Sequence, residues 1–299
     1  MLKGAFVCPL HDGAKGDFRY AADFLKSAKK FGVDGSLFFV CSNHDEAEKF
    51  SNLYDVGGGD CLVLDVNITE SKNPVSVKKF WAIEKLMNDY DYIAAIDCEC
   101  EFIRSFQPGE LMNDIWESKS FLTANKTPNR TNSTSTTMRD TAVLMGLDGE
   151  QLRHETEDYQ YLWWFNEIPV YRTDTLKDFF SWLNENSRRD AVFNNWCCFD
   201  YYIYVMWLIE CKGFKLTKVD ITFPGNLVES LCHCEKDKFK GFEREHNIHW
   251  TSRAKVRPED SSVVMKCQLD HLREYNRPYR KFKRAVKYIL ISLGLWRKD

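Results

Sequence analysis

The first hundred residues alternate between short apolar runs and segments with helical spacing. Residues 4–8, 36–41, 61–65 and 92–96 are continuous apolar stretches with the length and composition of strands buried on both faces. Between them, residues 21–30, 45–52 and 75–88 read as helices. In the last of these Phe80, Ile83, Met87 and Tyr90 recur at helical spacing, while Lys78, Lys79, Glu84 and Lys85 fill polar positions. Strand and helix in alternation predict a βαβ series: an α/β fold with a mainly parallel sheet flanked by helices.

Residues 123–140 break this pattern. They are rich in Thr, Asn and Ser and have no apolar periodicity, so a loop is expected, either a lid or a plain surface loop. An aromatic stretch follows at 159–165, then an expected strand at 168–171 and a helix at 176–183. A further helix is expected from Cys197 through Asp200, Ile203, Met206 and Trp207, then a strand at 214–220. No internal repeat and no Pro-, Gly- or Ser-rich linker divides the chain. The expectation is one large domain over 1–260 and a helical appendage over 261–299.

Composition narrows the class. A chain of 299 residues that is 44% hydrophobic and 14% aromatic can bury a substantial core and is not a disordered polymer. The net charge of -3 averages two unlike parts: from Arg277 onward eight Lys or Arg face one acidic residue, a surplus of +7 that leaves -10 on the rest. An acidic body of this kind excludes a broad nucleic-acid surface, which needs clustered cations. Eleven cysteines, with the close pairs Cys98/Cys100, Cys197/Cys198 and Cys232/Cys234, fit a reducing compartment better than a disulfide framework. The first residues lead into a strand-like run without the apolar core of a secretory signal. The expected location is therefore the cytoplasm, and the sequons at Asn67, Asn125, Asn129 and Asn132 read as chance occurrences in polar loops.

The basic tail adds a candidate surface. Phe282, Val286, Ile289, Leu290, Leu293 and Trp296 share helical spacing, and Arg280, Lys281, Lys283, Arg284 and Lys287 supply cations. The apolar part is too short to span a bilayer. A helix lying on the inner face of an anionic membrane fits, as does a terminal helix docked on its own body.

The segment richest in chemistry is Tyr90-Asp91-Tyr92-Ile93-Ala94-Ala95-Ile96-Asp97-Cys98-Glu99-Cys100-Glu101. An apolar strand that ends in carboxylates puts charge at the carboxyl edge of the sheet, where open α/β folds bind ligands. Acidic groups this close repel one another, and Mg²⁺ or Mn²⁺ relieves that repulsion while accepting hard oxygen ligands. In an extended chain Asp97, Glu99 and Glu101 project to one side, provided the chain does not turn first. The alternative is a solvated strand end.

An apolar strand followed by Asp97-Cys98-Glu99 resembles the DXD region of GT-A glycosyltransferases, particularly bacterial enzymes of capsule and lipopolysaccharide synthesis. The resemblance implies a GT-A, Rossmann-like fold with a donor half over about 1–122 and an acceptor half over about 141–260. It also implies transfer of a sugar from a nucleotide-diphosphate donor, UDP-sugar favoured, to a hydroxyl of a glycan or lipid-linked acceptor, with Mn²⁺ or Mg²⁺ as cofactor. On this reading Asp97 and Glu99 hold the metal and Asp97 and Cys98 contact the donor. A late histidine and a following lysine of the family point to His249 as third metal ligand and Lys255 as a diphosphate contact, with His246 in reserve for the metal. Cys8 and Pro9 at the end of the first strand and Lys78 and Lys79 on the third helix would line the donor pocket. An acidic residue near the acceptor points to Asp200 as the base.

Each assignment has a plainer rival. His249 reads equally as a surface or core histidine, Lys78 and Lys79 as solvated helix positions, and Asp200 as a carboxylate at a helix N-terminus. Glu167 competes with Asp200 as base, beside aromatics that could stack on a sugar or form core. Cys232-His233-Cys234 lacks further ligands at zinc spacing. Gly57-Gly58-Gly59 precedes a strand and so reads as a turn. A sugar nucleotidyltransferase would carry a Gly-rich loop after the first strand, which Cys8-Pro9-Leu10-His11-Asp12-Gly13 does not supply, and a non-catalytic carbohydrate- or partner-binding protein remains the alternative of another class.

Overall fold

The computed structural model describes residues 1–11, 17–54, 60–68, 71, 73–118, 123–125, 141–147, 161–162, 168–186, 188–190, 200–215, 217–219, 248–251, 264–267 and 286. Its principal sheet carries the expected βαβ series. Strands β1 (Gly4–Pro9), β2 (Leu37–Cys41), β3 (Asp60–Val63) and β4 (Tyr92–Ala95) run parallel, and β8 (Val170–Arg172) closes the sheet antiparallel to β4 in the order β3-β2-β1-β4-β8. Every residue of β2 and β4 is buried, as expected of strands covered on both faces.

The connecting helices are α1 (Asp17–Phe31), α2 (His44–Tyr54) and α3 (Pro74–Leu86). Each starts or stops where the local chemistry dictates. After α1, Gly32 at φ 70° takes the left-handed turn that lets Val33 N–H reach back to the Ala28 carbonyl at 3.0 Å. At the start of α3 the Asn73 side chain accepts the Ser76 amide at 3.3 Å, and Pro74 occupies the first turn, where its missing N–H costs nothing. Helix α3 packs across β1, β2 and β4, and α4 (Pro108–Ser118) packs across β1, β4 and β8. Helix α4 was not expected from the sequence.

Beyond the sheet, α5 (Thr173–Glu185) and α6 (Asp200–Lys212) enlarge the core. Residues 202–209 of α6 are all buried, so this helix has no polar stripe and is enclosed by its neighbours. Phe80 of α3 meets Tyr171 of β8 and both Phe179 and Phe180 of α5, which joins the two halves in one hydrophobic cluster.

Two small sheets complete the described residues. Strand β6 (Thr123–Asn125) pairs antiparallel with β7 (Tyr161–Leu162) and parallel with β9 (Thr217–Val219). The loop expected at 123–140 therefore begins with a strand, stabilised by partners distant in sequence; 126–140 lie outside the described residues. The third sheet joins β5 (Cys100–Phe102), β11 (Val264–Cys267) and β10 (Ile248–Thr251). Strand β11 lies past the expected boundary at 260 and still pairs with β5. Among the described residues no helix is long and apolar enough to cross a membrane. Of the basic tail over 277–299, only Val286 is described.

Candidate active site at the carboxyl edge of the sheet

Strands β1 and β4 are neighbours, with Val7 opposite Ala95. From β1 the chain builds outward through β2 and β3, then crosses back to β4 on the other side. That reversal makes the carboxyl ends of β1 and β4 the switch point of the sheet, the usual ligand position in such folds. Strand β1 is extended by Leu10, whose amide bonds Val40 O at 2.9 Å, and β4 by Ile96, whose amide bonds Val7 O at 2.9 Å. Asp97 follows directly.

The chain then turns. The Cys100 amide reaches the Asp97 carbonyl at 3.3 Å, so Asp97-Cys98-Glu99-Cys100 is a tight turn and not an extended run. This turn precedes Glu101 and separates it from Asp97 and Glu99, so the three carboxylates do not form one extended row. On β5, Cys100 and Phe102 point into the core and Glu101 points away from it. Glu101 instead lines a cleft of about 410 Å³ with Asp23, Ser27, Lys30 and Phe31 of α1. Burial and then the charge of Asp23 push its carboxyl above the ordinary range, with Lys30 opposing. Phe102 anchors the turn: its ring packs against Phe6, Phe24 and Phe106 at 5.1, 4.9 and 5.0 Å, and its amide donates to Ser27 Oγ at 2.9 Å.

Lys79 of α3 points at the turn. Its Nζ lies 3.7 Å from Asp97 Oδ1, with the lysine side chain 13% exposed and the aspartate 43% exposed. Cys8, wholly buried beneath them, feels the same neighbourhood. Burial raises its thiol pKa well above the usual value, Cys98, Asp97 and Cys100 raise it further, and Lys79 opposes. Cys8 is thus a neutral packing thiol, and the structure gathers Cys8, Pro9, Lys79, Asp97, Cys98 and Glu99 at one edge.

Lys78 is placed differently. At 3% exposure its ammonium bonds the Leu10 carbonyl and lies 3.2 Å from Glu46 Oε2, so it is committed beneath the edge. The sequence reading of Lys78 as a direct donor contact is corrected accordingly: a buried ammonium needs its charge partners, and it has found them inside the protein. Its partner Glu46 was not singled out from sequence, although the signal was present. Asn43 caps α2 by accepting the Glu46 amide at 2.8 Å, and the Glu46 carboxylate reaches back to the Ser42 amide at 2.5 Å, a variant of the capping box readable in Ser42-Asn43-His44-Asp45-Glu46.

The remaining expected residues are only partly placed. His249 sits on β10 in register with Met265, which is itself opposite Glu101, so its backbone lies two strands from the acidic turn's own strand. Asp200 is the first residue of α6. The side chains of both, together with all of Glu167, Lys255, His246, Gly57-Gly58-Gly59 and Cys232-His233-Cys234, lie outside the described residues. Among the described residues no group of three or more His, Cys, Asp or Glu is placed to hold a metal.

No protein-family model matches the chain, and no curated protein does. Among solved structures it is similar to core-mannan synthase A (CmsA/Ktr4) from Aspergillus fumigatus in its Mn/GDP form, at 10% identity and TM-score 0.37, over 70% of each chain. It is also similar to the galactosyltransferase LgtC in complex with donor and acceptor sugar analogues, at 11% identity and TM-score 0.38, over 88% of this chain and 87% of that one. A third is mouse xyloside xylosyltransferase 1, at 11% identity and TM-score 0.39, over 90% of this chain and 98% of that one. At these values the functional case rests on the chemistry of the site itself.

Proposed function

We propose that the protein is a metal-dependent glycosyltransferase of the GT-A type, moving a sugar from a nucleotide-diphosphate donor to a hydroxyl of a glycan or lipid-linked acceptor. The observation that carries this reading is the acidic turn Asp97-Cys98-Glu99 at the carboxyl end of β4, beside the end of β1, with the Lys79 ammonium 3.7 Å from Asp97.

The donor set suits a hard divalent cation. Two carboxylates in one turn match the way Mg²⁺ is held by one or two carboxylates and completed by substrate phosphates. Asp97 and Glu99 would hold Mn²⁺ or Mg²⁺ there, with His249 as a further ligand, and the cation would offset the charge of the departing diphosphate. Lys79 serves the same end without a metal: a largely buried ammonium beside Asp97 contributes fixed positive charge where the diphosphate gains negative charge. Cys8 and Pro9 would form the backbone wall of the donor pocket, and Lys255 a further diphosphate contact.

For an inverting reaction Asp200 would take the proton of the attacking hydroxyl, with Glu167 as the rival base. UDP-sugars are the favoured donors. The basic segment 277–299 would hold the enzyme on the inner face of an anionic membrane, next to a lipid-linked acceptor in a polysaccharide pathway. The test is donor hydrolysis and binding across UDP-, GDP-, CMP- and dTDP-sugars with and without Mn²⁺. Metal-dependent turnover of one donor, lost in Asp97→Ala, is expected; turnover that ignores both Mn²⁺ and Asp97→Ala would sink the reading.

A further inference from the structure

The ion pair under the sheet edge lies where no catalytic step uses it. Lys78 and Glu46 are 3% and 8% exposed, and their charged atoms are 3.2 Å apart. The Lys78 ammonium also binds the Leu10 carbonyl, in the segment that leaves β1. Glu46 accepts the amide of Ser42, in the segment that leaves β2, at 2.5 Å. One buried pair therefore ties together the backbone at the ends of two adjacent strands.

Stability alone does not explain a charged pair in this position. Replacing a buried ion pair by apolar groups of similar size is often neutral or stabilising, because two ions must be desolvated to form it. What an apolar pair cannot do is grip a carbonyl and an amide and fix the distance between them.

The surrounding topology says what that distance serves. On the transferase reading the diphosphate would lie at Asp97 and Lys79, at the end of β4. On the far side of β4 lies β8, which is antiparallel, so it presents its amino end to the same edge. Among the described strands of this sheet, β1, β2 and β3 offer the further carboxyl ends, and a nucleotide anchored by its diphosphate at β4 would extend its nucleoside over β1 and β2. Helix α3 thus sends two consecutive ammonium groups to two places, Lys79 to Asp97 at the end of β4 and Lys78 beneath the ends of β1 and β2.

We propose that Lys78 and Glu46 are positioning residues that set the spacing of the Leu10 and Ser42 backbone into a pocket for the nucleoside of the donor. This deepens the transferase reading and rests on it. The pair touches no substrate; it acts through the two strand ends.

The test compares the parent with Lys78→Met, Glu46→Leu and the double variant K78M/E46L, using a UDP-sugar as donor and free uridine and pyrophosphate as inhibitors. Thermal unfolding is followed in parallel. The single variants each strand a buried charge and should melt early, whereas the double variant should recover most of the parent Tm. In the recovered double variant the donor KM and the uridine inhibition constant should both rise roughly tenfold, with pyrophosphate inhibition held within about twofold. A donor KM that returns to the parent value together with the Tm overturns the proposal, since the pair would then matter only for folding. Glu46→Gln is the second variant should the double fail to fold: it keeps an acceptor for Ser42 while loosening Lys78, and an unchanged donor KM in it also overturns the proposal. A parent that turns over no nucleotide-sugar is a separate result, which removes the transferase reading itself.

Discussion

Phe102 gives the sharpest test of how the acidic turn is held. Its ring is 2% exposed and packs between Phe6, Phe24 and Phe106 with centroids 4.9–5.1 Å away. Truncation to alanine removes the buried ring and leaves a hole that Phe6 and Phe24, fixed on β1 and α1, cannot readily close. Phe→Ala changes of this kind cost about 3–5 kcal/mol, whereas Phe102→Leu, which nearly conserves volume, should cost less than about 1.5 kcal/mol. With an m-value of about 3 kcal/mol/M, the alanine variant should lose roughly 1–1.7 M in urea midpoint. The assay is urea unfolding followed by Trp fluorescence for parent, Phe102→Leu and Phe102→Ala. A Phe102→Ala loss below about 1 kcal/mol, or one equal to the leucine variant, would refute the claim that this ring anchors the turn.

Two further outcomes follow from the geometry. A methyl at Gly109 would overlap the backbone carbonyl of Leu2, so Gly109→Ala should destabilise the fold by roughly 1–3 kcal/mol in the same unfolding assay, where an unchanged midpoint would contradict the close approach of α4 to the segment that enters β1. Glu101 has a raised carboxyl pKa from burial and Asp23, so its ionised form opposes folding above that pKa and is neutral in both states below the unfolded value of about 4.3. Glu101→Gln should therefore raise Tm at pH 7, and the gain should vanish as the pH falls below about 4; a gain that persists in acid would refute the cause.

The parts of this molecule legible in the sequence are those fixed by local pattern. The runs in β1, β2 and β4 are apolar because helices cover both faces, and that signal needs no knowledge of distant contacts. The position of Asp97 at a strand end was legible for the same reason. What was hidden depends on partners far along the chain. Strand β5 is three residues long and becomes a strand only by pairing with β11, whose Met265 faces Glu101. Strand β6 is polar and likewise acquires its conformation from Thr217–Val219. Lys78 and Lys79 look alike in sequence, yet one step around a helix separates a buried brace from an ammonium beside Asp97. Whether Glu101 continues the row of Asp97 and Glu99 was not legible, because the turn that intervenes, made of Asp, Cys and Glu, carries no Gly or Pro to announce it.

The central claim is that the Asp97-Cys98-Glu99 turn holds a divalent cation together with a nucleoside diphosphate. The direct measurement is the electron paramagnetic resonance signal of free Mn²⁺, titrated with parent, Asp97→Asn and Glu99→Gln protein in the presence and absence of UDP. The account predicts that the parent quenches the free signal much more strongly when UDP is present, and that each variant loses this UDP-dependent binding while unfolding at a temperature close to the parent's. Mn²⁺ binding that is the same in the parent and both variants, or that is indifferent to UDP, would contradict it.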